Sequence, residues 1–173
     1  MRFVLNASTR EGVWPMELTR QADYAVRIIL DLSDRPRHRV VRSDEIARRQ
    51  MIPRAYFTKL VQGLARAGLV CTYRGARGGI RLARDPAAIT LRQVIEVAQG
   101  PIRLNRCLFT PGECPFDQIC PVHMVWHHIQ ETLTRELDAV TFAHLRARQR
   151  WAEASSDKRN QTSGPRAVPR PII

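Results

Sequence analysis

The residues best suited to chemistry lie together in the run RCLFTPGECPFDQICPVH. Cys107 is followed after six residues by Cys114, after five more by Cys120, and after a further two by His123. Three thiols in a short Pro- and Gly-containing stretch can converge on one centre without help from regular structure. A zinc knuckle would bring CxxC-type pairs, which are absent here. Soft thiolates at wider spacing suit an iron–sulfur cluster, which normally takes four protein ligands. Three cysteines leave one position, and the neutral imidazole of His123 is the nearest candidate, since histidine can replace cysteine on a cluster iron. Zinc binding, or plain thiol chemistry in a mobile loop, is the alternative. Cys71, between Val70 and Thr72, reads as a small core hydrophobe, and His127 and His128 read as surface or interface residues.

The elements around this segment follow from periodicity. Downstream, Val122, Val125, Trp126, Ile129, Leu133 and Leu137 trace an apolar stripe along a long helix. So little of the chain is left to cover that stripe that it reads as an intersubunit surface in a two-fold dimer. Upstream, Ala22, Ala25, Val26, Ile29 and Leu30 repeat as one face of a helix. Ser43, as N-cap before Asp44 and Glu45, opens a short helix to about Gln50. Pro53 suits the first turn of another, running to about Ala67 with Gly68 as its stop. Phe57, Leu60, Val61 and Leu64 point inward, leaving Arg54, Ala55, Thr58, Lys59, Gln62 and Arg66 outward. Two short helices across a tight turn, the second small and basic on its outer face, form a helix-turn-helix pattern. Leu69–Tyr73, the turn RGARGG and Ile80–Leu82 then read as a β-hairpin, the wing of a winged helix. Arg74 and Arg77 at its tip suit the narrow minor groove of A·T-rich DNA. Thr90 and Gln93 form a capping box for a helix through Ala98.

Charge sharpens the assignment. The chain has 173 residues, a formal net charge of +12, and only two lysines among its 28 cations. Residues 16–100 carry sixteen cations against eight anions, two-thirds of the excess, whereas residues 101–150 are nearly balanced. A basic segment of this kind is the footprint of a phosphate-backbone binder. No apolar run approaches the roughly 18 residues of a transmembrane helix, and no signal peptide is evident, so a soluble cytoplasmic protein is expected. The expected organisation is an arm at 1–15, disordered or preceding a true start at Met16, and a winged helix-turn-helix domain at 16–100. A cysteine loop at 101–121, a dimerisation helix region at 122–150 and a disordered tail at 151–173 follow. The fold class expected is mainly α with a small β wing. An iron–sulfur electron carrier would account for the cysteines but leaves the wing arginines and basic helix unexplained.

Three stretches, MELTRQADYAVRIILDL, IPRAYFTKLVQGLARAGLVCTYRGARGGIRLARDPAAITLRQVIEVAQG and RCLFTPGECPFDQICPVHMVW, closely resemble the Rrf-two family of bacterial transcription regulators over about residues 16–145. The resemblance implies a homodimer of winged-helix subunits, not an enzyme, reading double-stranded DNA at a near-palindromic operator. A repressor that senses nitric oxide, iron or redox status is expected. It implies an iron–sulfur cluster on Cys107, Cys114 and Cys120, with His123 as fourth ligand in the manner of the IscR type. Asp23 of the partner subunit is the alternative, in the manner of the NsrR type. The histidine favours a 2Fe–2S cluster, with 4Fe–4S as the alternative. Arg54, Tyr56, Thr58 and Lys59 fall in the family's DNA-contacting helix, and Arg74 and Arg77 in its wing. The first cysteine interval is one residue longer than in the IscR type, and Thr58 stands where that type has an acidic reader.

Overall fold

A computed structural model describes residues 18–75, 78–108, 110, 112, 114–116 and 119–162. The expected arm, Arg77 and the last eleven residues fall outside them. Six α-helices and one hairpin follow in order: α1 (Arg20–Ser33), α2 (Ser43–Arg49), α3 (Arg54–Arg66), β1 (Val70–Tyr73), β2 (Gly79–Leu82), α4 (Leu91–Gln99), α5 (His123–Ala139) and α6 (Phe142–Thr162).

The local starts and stops have identifiable causes. The Thr19 hydroxyl caps α1 by accepting from the Ala22 amide. Helix α2 begins one residue earlier than a Ser43 cap would have it: Arg42 takes the cap position, and Ser43 is the first helical residue. Pro53 likewise sits at the cap of α3, where its missing N–H costs no helical bond. Gly68 closes α3 at φ +65°, with Leu69 N–H donating to the Leu64 carbonyl and Gly68 N–H to that of Ala65. The Thr90–Gln93 capping box is present with both of its hydrogen bonds.

The hairpin pairs β1 with β2 antiparallel, Val70 opposite Leu82 and Tyr73 opposite Gly79. Val41 adds a rung on the other edge of β2 through reciprocal hydrogen bonds with Ile80, of 2.9 and 2.8 Å. A Cβ on Gly79 would run into the Val41 carbonyl, so this close approach requires glycine. The sequence pattern shows the hairpin but not the Val41 rung.

One apolar core joins the helices to the sheet. Ile28, Ile29, Ile46, Leu64, Leu69, Ile80, Leu82 and Ile89 are fully buried in it. Phe142, the first residue of α6, is also fully buried there, and burying its ring contributes about 2–3 kcal/mol. The region 122–150, read from the sequence as a single helical unit, therefore divides into two helices. The break falls at two β-branched residues: Val140 is extended, and Thr141 pairs with Thr90 in an isolated β-bridge. Of the tail expected to be disordered from residue 151, residues 151–162 continue α6 to Thr162, and the remainder lies outside the described residues. Once α6 is nucleated on Phe142, each added residue costs little. Among the described residues, no helix is long and apolar enough to cross a membrane.

Candidate nucleic-acid interface and metal centre

Helix α3 buries Phe57, Leu60, Val61 and Leu64 and turns Arg54, Ala55, Tyr56, Thr58, Lys59, Gln62 and Arg66 to solvent. It carries no acidic residue. The carboxylates of α2 are already engaged by arginines of their own neighbourhood: Asp44 by Arg42 at 3.1 Å and Glu45 by Arg49 at 2.7 Å. The hydrogen bond from Arg42 holds the Asp44 carboxyl below its ordinary range. Among the described residues no ion pair engages Arg54, Lys59, Arg66 or Arg74, which leaves these cations available to an external anion.

The expected contact residues of α3 divide by place. Arg54 and Thr58 line one open cleft between α2 and α3, together with Ser43, Arg48 and Met51. Tyr56 stands against Tyr24 of α1, its ring edge-on with centroids 6.2 Å apart. The Thr58 hydroxyl donates to the Arg54 carbonyl at 3.1 Å, which engages its proton and leaves the oxygen as an acceptor. Lys59 lies on the opposite flank, beside Gln21 and Arg66. On the wing, Arg74 is exposed directly after β1. Sequence reasoning missed Arg81, whose Nε donates to the Tyr73 hydroxyl at 2.8 Å while its guanidinium lies 5.6 Å from that ring. The two are diagonal partners on one face of the hairpin, a relationship that the strand register alone predicts.

The cysteine segment leaves α4 at Gly100 and returns to helix at His123. Cys107 sits in a short 3-10 turn, Arg106–Leu108, packed on α5. Cys114 and Cys120 are half-buried free thiols. The His123 N–H donates to the Cys120 carbonyl at 3.1 Å, a turn that sets the last cysteine beside the first residue of α5. Nδ1 of His123 is buried and has no hydrogen-bond partner among the described residues. Such an atom normally carries a desolvation cost unless something binds it. Asp23, the other candidate ligand, is paired within its own helix with Arg27 at 2.8 Å. Among the described residues no three His, Cys, Asp or Glu side chains are gathered closely enough to hold a metal ion. Three thiols and an imidazole with a buried, unsatisfied nitrogen fit an iron–sulfur centre in chemical type, and the segment would have to close to bring them together.

A family model described as an iron-dependent transcriptional regulator, Rrf2, matches residues 18–148. The chain belongs to the Rrf2 family. An Rrf2 relative, the HTH-type transcriptional regulator NsrR of Geobacillus kaustophilus, is 33% identical over 75% of this chain and 89% of its own. The HTH-type transcriptional regulator IscR of Yersinia enterocolitica is 31% identical over 85% of this chain and 89% of its own. The solved structure of CymR, the global cysteine regulator of B. subtilis, superposes with a TM-score of 0.62 at 27% identity, covering 76% of this chain and 96% of that one. As an Rrf2 protein, the chain is a DNA-binding transcription regulator of winged-helix fold, not an enzyme.

Proposed function

We propose that this Rrf2 protein is a cytoplasmic homodimeric regulator, acting as a repressor, that senses nitric oxide, iron or redox status through an iron–sulfur cluster. Cys107, Cys114, Cys120 and His123 would hold the cluster, which supplies a centre reactive toward oxidants and nitric oxide. The observation that carries the reading is the buried Nδ1 of His123, which has no hydrogen-bond partner among the described residues and lies one turn from Cys120 at the head of α5. It favours His123 over Asp23, whose carboxylate already has Arg27. The NsrR and IscR relatives, and the iron-dependent description of the family, support the same reading.

The apolar face of α5 supports the dimer. Val122, Val125 and Ile129 on this face are exposed, and among the described residues Gln130 is the only one of α5 that the chain itself buries. A second copy crossing along this face would cover them. Drawn together on the cluster, the four donors would fix Cys107, Cys114 and Cys120 at the head of α5. The position of α5 in turn sets the separation of two α3 helices over a near-palindromic operator. Releasing the donors loosens that separation, an order–disorder switch worth about 1–3 kcal/mol, or roughly 5- to 150-fold in operator affinity.

Anaerobic purification with an absorption spectrum and iron and sulfide analysis tests the proposal. Visible absorbance with iron and sulfide that disappears in C107A, C114A and C120A is expected; the band shape distinguishes 2Fe–2S, which the histidine favours, from 4Fe–4S. A colourless, iron-free protein overturns it. Substituting His123 and Asp23 separately assigns the fourth ligand, with a changed spectrum expected only for His123.

A further inference from the structure

Gln130 is the buried residue of α5, and both ends of its amide are used on one short piece of chain. Its Nε2 donates to the Ile102 carbonyl at 2.9 Å, and its Oε1 accepts from the Leu104 amide at 2.9 Å. A buried primary amide is costly unless both ends are satisfied, and here the same extended stretch satisfies them. From the other side, the Ile102 N–H donates to Glu96 of α4 at 3.4 Å. Residues 102–104 are thus stitched to α4 by Glu96 and to α5 by Gln130. Cys107 follows Leu104 by three residues. Gln130 follows His123 by seven, two helical turns, so the amide and the imidazole lie on one face of α5.

We propose that Gln130 is a positioning residue for the metal centre. It holds the chain entering the cysteine segment at a fixed register to His123, and it carries the state of that segment to α4 and the DNA-reading domain. This rests on the iron–sulfur reading above. Gln130 ligates nothing; it sets how far the first thiol stands from the imidazole. Without the clamp, the centre should still form with the same bands but should come apart sooner.

The test uses the full chain with Gln130→Met, which keeps side-chain length and removes both hydrogen bonds, and Arg135→Ala on α5, exposed and away from the apolar face, as control. Hydrogen exchange at the Leu104 amide in iron-free protein reads the clamp by itself, and about tenfold faster exchange is expected in Q130M alone. After anaerobic reconstitution with ferrous iron and sulfide, loss of the visible bands is timed under a chelator. Q130M should lose them about fivefold faster, with band positions and the thermal midpoint of the iron-free protein close to wild type. Wild-type protein that loads iron and loses it at the Q130M rate overturns this proposal and leaves the cluster reading standing. Wild-type protein that loads no iron overturns both, and a clamp then read from Leu104 exchange is a loop anchor only. A Leu104 amide that exchanges equally in wild type and Q130M overturns the clamp directly.

Discussion

Asp31 and Arg49 meet carboxylate to guanidinium, with Nε and Nη2 of Arg49 each 2.6 Å from a different oxygen of Asp31. Gln50 adds a third donor at 2.8 Å. The pair ties α1 to the end of α2 and so fixes the first helix of the helix-turn-helix to the core. Burial pushes the Asp31 carboxyl up, but the hydrogen bonds from Arg49 and Gln50 outweigh it and hold the carboxyl below its ordinary value of 3.8. A depressed carboxylate contributes stability that is present above its unfolded value and is lost as pH falls through its folded one. Asp31→Asn should therefore cost about 2 kcal/mol at neutral pH, since it removes the charge-assisted hydrogen bonds from Arg49, which keeps only Glu45. Urea unfolding should show the wild-type advantage shrinking as pH falls from about 4 downward. A difference that stays constant across that range would mean that the charge of Asp31 contributes nothing.

Met51 occupies the turn between α2 and α3 at φ +52°, a left-handed conformation that side-chain-bearing residues resist, and it is 79% exposed. Met51→Gly should raise stability by about 1 kcal/mol, because it relieves the backbone and gives up almost no packing. Denaturant unfolding reads this directly, and a lower midpoint for the glycine variant would contradict it.

Gly79 lies where the hairpin passes under the Val41 carbonyl. Gly79→Ala should displace β2 from Val41, break the rung with Ile80 and cost about 2 kcal/mol. The wing should move with it, so DNA affinity is expected to fall at temperatures where the protein remains folded. An alanine variant with wild-type stability and DNA affinity would show that the rung is dispensable.

The cations of α3 that have no ion-pair partner among the described residues should make themselves felt through salt. Arg54→Ala and Lys59→Ala should each weaken binding to random duplex DNA. Each should reduce the steepness of log affinity against log salt by about 0.9 for every phosphate that the variant no longer neutralises. Thr58→Ala should leave that slope alone and change which sequences are preferred. Filter binding across salt concentrations separates the two behaviours, and unchanged slopes in both cation variants would remove α3 from the interface.

The sequence is most legible where one element decides its own form. The inward face of α3, its stop at Gly68, the hairpin and the Thr90 capping box depend on local spacing and turn chemistry, and all are present. In α1 the periodicity points to Val26 and Leu30, which are half-buried, and passes over Ile28 and Leu32, which are buried. Several partners surround α1, so its apolar face is wider than one stripe. Asp31 and Gln130 are not legible because their partners lie on other elements. Gln130 leaves one trace, a polar residue between Trp126 and Leu133 on the apolar stripe of α5. The cysteine spacing is legible as chemistry, but spacing carries no information on how far apart the loop holds the thiols.

The short ladder at the foot of α5 bears on how the cysteine segment can act. Leu91 N–H donates to the Val140 carbonyl at 2.8 Å, Phe142 N–H to that of Ile89 at 3.0 Å, and Asp138 accepts from Thr90 and Arg92. The chain from α4 through α5 therefore leaves the DNA-reading domain and re-enters it at one point. These bonds tie its two ends together, so under the proposed function a change in the cysteine segment would act as a swing of α5 about this hinge pin. The 17-residue helix is about 25 Å long, so a tilt of about 5° at the pin moves its His123 end by about 2 Å. In the proposed two-fold dimer that swing would be doubled, and it would reach the DNA as a change in reading distance with no element of the reader itself deformed.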